Sequence, residues 1–139
     1  MAHYSSISFD EGKDYMLISC DYQIDQPVLN GQPNGYPTCG KIKITLVTPD
    51  NEDMFFFEWM KQTVGHKDGE IFFQVVNEGK ASTKTLKFEG AFCISLREDF
   101  SFLTDSQMTT TIEFLSEKVT FGGGGENANE ANAISFESK

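Results

Sequence analysis

Four runs of the chain alternate apolar and polar residues with a period of two, a spacing that demands strands with one face in a core and is foreign to a helical bundle. In YMLISCDYQI, Met16, Ile18, Cys20, Tyr22 and Ile24 share one face, opposite Ser19, Asp21 and Gln23. KIKITLV points Ile42, Ile44 and Leu46 inward. LKFEGAFCISL does the same for Leu86, Phe88, Phe92 and Ile94, with a bulge or close approach at Gly90. MTTTIEFLSEKVTF sets Met108, Ile112 and Phe114 against Thr109, Thr111 and Glu113. A fifth run, EIFFQVVN, is apolar on both faces, with Ile71, Phe73 and Val75 on one and Phe72 and Val76 on the other. Such a strand calls for cover on both sides, from a helix or from a neighbouring molecule.

One segment reads as a helix, TPDNEDMFFFEWMKQTVG. Thr48 before Pro49, or Asp50 or Asn51, can cap its start, Glu52 and Asp53 suit its positive end, Lys61 suits the other, and Gly65 stops it. Phe55, Phe56, Trp59 and Met60 form one stripe at helical spacing. Met54 and Phe57 fall outside it, either as its ragged margin or as a second buried face.

Between the first two strands lies QPVLNGQPNGYPTCG, residues 26–40, with three of the four prolines and two Asn-Gly pairs. A hairpin loop needs only two to five residues, so a connection this long asks for a purpose. It is no uniformly polar linker, since Val28, Leu29 and Tyr36 stand among its turn residues. Asn30-Gly31 and Pro33-Asn34-Gly35 are good tight-turn sequences. An arm already turned loses less freedom on docking than a Gly/Ser loop would. The plainer reading is a surface excursion with no partner.

Composition removes several functions. The 139 residues suit one domain, and 39% hydrophobic content with thirteen Phe fills a core without staples. A net charge of −10, with Arg97 as the single arginine, is the reverse of what nucleic acid requires. No run is long enough to cross a membrane. MAHYSSISFDEGK lacks the basic and apolar regions of a signal peptide, which predicts cytoplasmic synthesis without Sec-type export. Cys20, Cys39 and Cys93 are odd in number and widely spaced, so reduced thiols are expected, with Cys39 the one candidate for exposure.

Chemistry is hard to place. His3 and His66 sit in no ligand-like cluster, and hydrolase, zincin and phosphate-loop motifs are absent. Glu98 and Asp99 follow Arg97 and read as a solvated charge cluster, while DNED, residues 50–53, reads as a helix start and not as a metal site. No catalytic residue, cofactor or metal is expected. From Gly122, four glycines open GGGGENANEANAISFESK. Their backbone entropy predicts a folded domain over residues 1–121 and a flexible tail over 122–139, with AISFE docking weakly.

The whole-chain order of strand, long Gly/Pro arm, strand, one short helix carrying FEWM, and further strands resembles the tube protein of bacterial type VI secretion systems. That is the haemolysin-coregulated protein (Hcp, or TssD) family, in its Bacteroidota form. The stretches that carry the resemblance are YMLISCDYQIDQPVLNGQPNGYPTCGKIKITLVT, MFFFEWM, DGEIFFQVVNEGKASTKTLKFEGAFCISLREDF and MTTTIEFLSEKVTF, most of residues 6–121. The tail from Gly122 departs from the family, whose chains usually end soon after the last strand.

The resemblance implies a mainly β fold: a flattened β-barrel of two packed antiparallel sheets, one short α-helix and a long protruding loop. It implies six copies in a ring with a central channel, and rings stacked into a tube that a contractile sheath propels. Partners would be the chain itself, the sheath, the spike or baseplate, and effectors in the channel, with no nucleic acid and no stable membrane insertion. The protein would be cytoplasmic when assembled and secreted by the apparatus. The family's ring-stacking arm maps onto Val28, Leu29, Asn30, Gly31, Gln32, Pro33, Asn34, Gly35 and Tyr36. Ring closure joins unlike patches, so a subunit needs two apolar surpluses. Met54, Phe57, Phe72 and Val76 are the candidates. Two alternatives remain: a monomeric barrel holding a small apolar ligand, and the tube protein of a phage tail or another contractile injection system.

Overall fold

Alternating sequence becomes strand for most of the chain. The computed structural model describes residues 5–50, 52–62, 66–101, 107–124 and 134–137. In chain order these form β1 (Ser5–Phe9), β2 (Lys13–Asp21), β3 (Ile24–Asp25), β4 (Val28–Leu29), β5 (Gln32–Pro33), β6 (Thr38–Cys39), β7 (Ile42–Val47), α1 (Phe55–Lys61), β8 (Lys67–Asn77), β9 (Lys80–Asp99), β10 (Thr109–Gly124) and β11 (Ile134–Glu137). The order β10-β7-β2-β1-β8-β9 closes on itself because β9 also pairs with β10. The expected barrel is therefore a closed one of six strands. Closure removes the open edges that invite unwanted strand pairing. β11 adds to β10 at Lys118–Phe121, on the edge that β7 leaves free beyond Phe114.

The interior is filled by Ile7, Phe9, Leu17, Ile42, Ile44, Leu46, Ile71, Leu86, Phe88, Ile112, Phe114 and Val119, all buried. Ile42, Ile44, Leu46, Leu86, Phe88, Ile112 and Phe114 lie where alternation places them. Met16 and Ile18 do not: both are 54% exposed, while Tyr15 and Leu17 face inward. The cause is a bulge. Leu17 pairs with Leu46 and Ser19 with Thr45, so Ile18 has no partner across the ladder. One extra residue reverses every side chain beyond it. Cys20, Tyr22 and Ile24 thus remain inward as expected.

β9 reverses twice. Gly90, at φ +64°, shares a bulge with Glu89 opposite Asp68, and its amide donates to the Asp68 carboxylate at 2.8 Å. Ala91 and Cys93 then turn inward, and Ile94 turns out instead of in. Ile94 is itself unpaired, since Cys93 faces Phe114 and Ser95 faces Glu113. Phe92 is only partly buried and packs edge-on to His66 at 4.6 Å. Met108, just before β10, is exposed rather than inward.

The helix is shorter than its sequence signals. It begins at Phe55, after the capping candidates Thr48–Asn51, and the Asp53 carboxylate accepts the Phe55 amide at 3.1 Å. Asp53 also accepts the Tyr15 hydroxyl at 2.8 Å. Thr48 instead pairs with Thr110 through their hydroxyls at 2.8 Å. Asn51 and Gly65 lie outside the described residues. Phe55, Phe56 and Trp59 are buried against the barrel, whereas Met60 is exposed. The Trp59 indole nitrogen donates to the Ala91 carbonyl at 3.2 Å, and its ring packs 5.4 Å from both Phe9 and Phe114.

β8 and β9 are joined by a two-residue turn, Glu78-Gly79, at φ 53° and 79°. Both positions demand the left-handed region, where a glutamate is strained and asparagine is tolerated. Glu78→Asn is expected to raise stability by about 0.5–1 kcal/mol, read as a higher urea midpoint with an unchanged slope.

Candidate assembly surfaces

The long connection is a hairpin with its own register. Val28 pairs with Pro33 and Leu29 with Gln32 around Asn30-Gly31, whose φ values of 54° and 79° make it the tip. The Asn34 amide donates to the Pro27 carbonyl, and Gly35 passes beside the Pro27 ring. The other expected turn, Pro33-Asn34-Gly35, is therefore a bend on the return path. At the base, Ile24 pairs with Cys39 and Asp25 with Thr38, in a two-stranded sheet separate from the barrel. Every residue from Gln26 to Pro37 is exposed, Val28 at 67% and Tyr36 at 77%. None of them is charged. A turned, uncharged arm with bare apolar side chains can bury them only against another surface.

The opposite end of β7 carries a groove of about 340 Å³, lined in part by Thr48, Pro49, Met54, Phe57 and Met108. Asp50, Asp53 and Glu98 also line it. Met54 and Phe57 are both about half exposed. They face away from the Phe55–Phe56–Trp59 stripe and form a free surface, not a second buried face. Met108, which alternation assigned to the core, completes that wall.

Phe72 and Val76 lie elsewhere. Phe72 is partly buried on the outer face of β8, in a shallow cleft with Ser6, Ser8, Asp14, Tyr15 and Met16. Met16 and Phe72 flank Ser6 across adjacent strands. Val76 is exposed near the Glu78-Gly79 turn. The helix packs mainly on β9 and meets β8 where Lys67 lies over the Phe55 ring at 4.7 Å, while the cleft at Phe72 is lined by residues of β1, β2 and β8. The structure thus separates the four candidates into a groove with Met54 and Phe57, a cleft with Phe72, and an isolated Val76. Met16 lines the cleft and Met108 the groove, and Ile18 is exposed; period-two reading carried all three into the core.

Titratable groups follow burial. Cys39 is not exposed; it is 6% accessible, drawn in by its ladder with Ile24. Burial raises all three thiols: Cys20 is pushed up to about 12, with Asp21 and Cys39 adding to the effect, and Cys93 to about 11. All three are free. The folded chain holds these protons more tightly than the unfolded chain, so stability falls as pH rises from about 9 toward 12. At pH 8 the thiolate that attacks disulfides is scarce at Cys20 and Cys93. Native protein is therefore expected to react with an aromatic disulfide reagent at least about tenfold more slowly than urea-unfolded protein, measured as absorbance against time. Burial first, then the bond and charge of Asp53, raises the Tyr15 hydroxyl as well. Among the described residues no group of three or more His, Cys, Asp or Glu is placed to hold a metal ion. No described helix is long and apolar enough to cross a membrane.

Comparisons with known proteins fit this architecture. Residues 1–130 match the family model described as Hemolysin coregulated protein Hcp (TssD). No curated protein matches. Among solved structures, Hcp1 from Flavobacterium johnsoniae is 26% identical and superposes with a TM-score of 0.71, over 97% of this chain and 99% of that one. Hcp1 from Salmonella typhimurium gives 0.71 at 11% identity, covering 99% and 95%. The secreted protein Hcp3 from Pseudomonas aeruginosa gives 0.66 at 10%, covering 99% of each. The last two share the fold; the first shares sequence as well.

Proposed function

Because the chain belongs to the Hemolysin coregulated protein Hcp (TssD) family, and is thereby a structural subunit of the inner tube of a type VI secretion system, we propose that six copies close into a ring and that the rings stack through the arm. The tube passes out of the cell with a contractile sheath around it and a spike or baseplate at its ends, and its channel carries effectors. The subunit itself has no catalytic role.

The observation that carries this reading is the placement of unlike apolar surfaces. The arm base precedes β7 and the Met54–Phe57 groove follows it, so six residues of strand, roughly 20 Å, separate a projecting element from a recess. Unlike patches at opposite ends support head-to-tail repetition along that direction. The Met16–Phe72 cleft lies on the outer side of β1, β2 and β8 and is left for contact around the ring.

Light scattering on a sizing column, with negative-stain imaging of the same fractions, tests the ring. The expected result is a particle of six 15.6 kDa chains, annular and open at its centre. A monodisperse monomer at micromolar concentration would reject self-closing rings.

A further inference from the structure

The base of the arm is seated by Cys39, which is buried, and by Ile24 packed beside it, but its backbone pairing is short. Its two-pair ladder does not join the barrel sheet, and the Gly40 amide to the Gln23 carbonyl at 3.0 Å is the next bond beyond it. A two-pair ladder alone does not fix a hairpin in water. The C-terminal strand lies against this base. β11 packs on β6, and Ser135, Phe136 and Glu137 line one cleft together with Tyr36 and Pro37 of the arm.

Phe136 sits opposite Val119, on the side of β10 that faces the core. Its ring is 5.8 Å from Phe121, which is 5.2 Å from Tyr22, two residues before β3. A hydroxyl pair, Thr120 with Ser135 at 2.9 Å, fixes the same register. We infer that β11 is a brace for the arm: residues 134–137, seated on the free edge of β10, set the direction of Val28–Tyr36 relative to the barrel. The consequence for ring stacking rests on the reading of the arm given above. The brace itself does not.

Hydrogen exchange on the full chain separates the two. Phe136→Ala removes the ring that bridges β11 and Phe121, and the Gly40 and Asn34 amides report on the arm. Their exchange is expected to rise by about tenfold. Amides of Ile44 and Ile112 in the barrel should keep their rates, and Phe136→Tyr should restore the arm. Unchanged exchange at Gly40 and Asn34 overturns the brace, whatever the rings do. Faster exchange at the barrel amides as well overturns it too, because Phe136 would then support the whole fold. A loosened arm whose removal leaves stacking intact upholds the brace and rejects the stacking role.

Discussion

Replacing Leu29–Tyr36 with a bare Asn-Gly turn is expected to leave the rings whole and to abolish their stacking. The trimmed segment holds Leu29 and Tyr36, both exposed in the single chain. Fully burying one large apolar side chain contributes roughly 1.5–3 kcal/mol, so losing two per subunit lowers the stacking constant at least about 100-fold. The turn chemistry is retained and the base ladder of Ile24–Asp25 with Thr38–Cys39 is untouched, so the barrel should unfold at its parental urea midpoint. Tube length in negative stain, followed against concentration, reads the effect. Broken rings would place the arm in ring closure. Full-length tubes would remove it from assembly altogether.

Trp59→Ala is expected to be the most damaging single change to the fold, costing about 3–5 kcal/mol. The side chain is fully buried among Phe9, Phe55, Phe56 and Phe114, and the Ala91 carbonyl would lose its indole donor. A seven-residue helix has no stability of its own in water and forms because its aromatic face is docked. Losing the central anchor therefore loosens Met54 and Phe57 as well, and with them one wall of the groove. Denaturant unfolding measures the first effect and tube length in negative stain the second. Trp59→Phe, which keeps one ring in the same place, should recover roughly half of the stability. An alanine variant that unfolds within 1 kcal/mol of the parent, roughly, would show that the helix is not held this way.

Legibility differed sharply between core and surface. The inward face of β7 was plain because Ile42, Ile44 and Leu46 run through one uninterrupted ladder with β10. The helix was plain because three large aromatics at helical spacing have few other uses. β2 was misread at Met16 and Ile18, since no residue type announces the bulge at Ile18 and a run of Met-Leu-Ile is apolar whichever way it faces. At Gly90 the irregularity was visible in the sequence, but its sense was not: the inward role passed to Ala91 and Cys93. Cys39 was misplaced for a different reason. A two-residue ladder is too short to leave a periodic trace, yet it draws that thiol into the core. The exposed apolar surfaces were least legible, because a side chain left outside shows the same hydrophobicity as one destined for the interior.

Ile18 has no counterpart in β7 and Ile94 none in β10, and this gives the barrel an unusual tolerance. Losing one residue from a strand normally exchanges inside for outside over the remainder of its length. Deleting Ile18 exchanges nothing, because Leu17 and Cys20 already face inward on either side of it; the same holds for Ile94 between Cys93 and Leu96. Both positions carry exposed apolar side chains. A lineage of such proteins could add or remove a residue at either point, remodelling what one subunit shows to the next while its interior stays as it was.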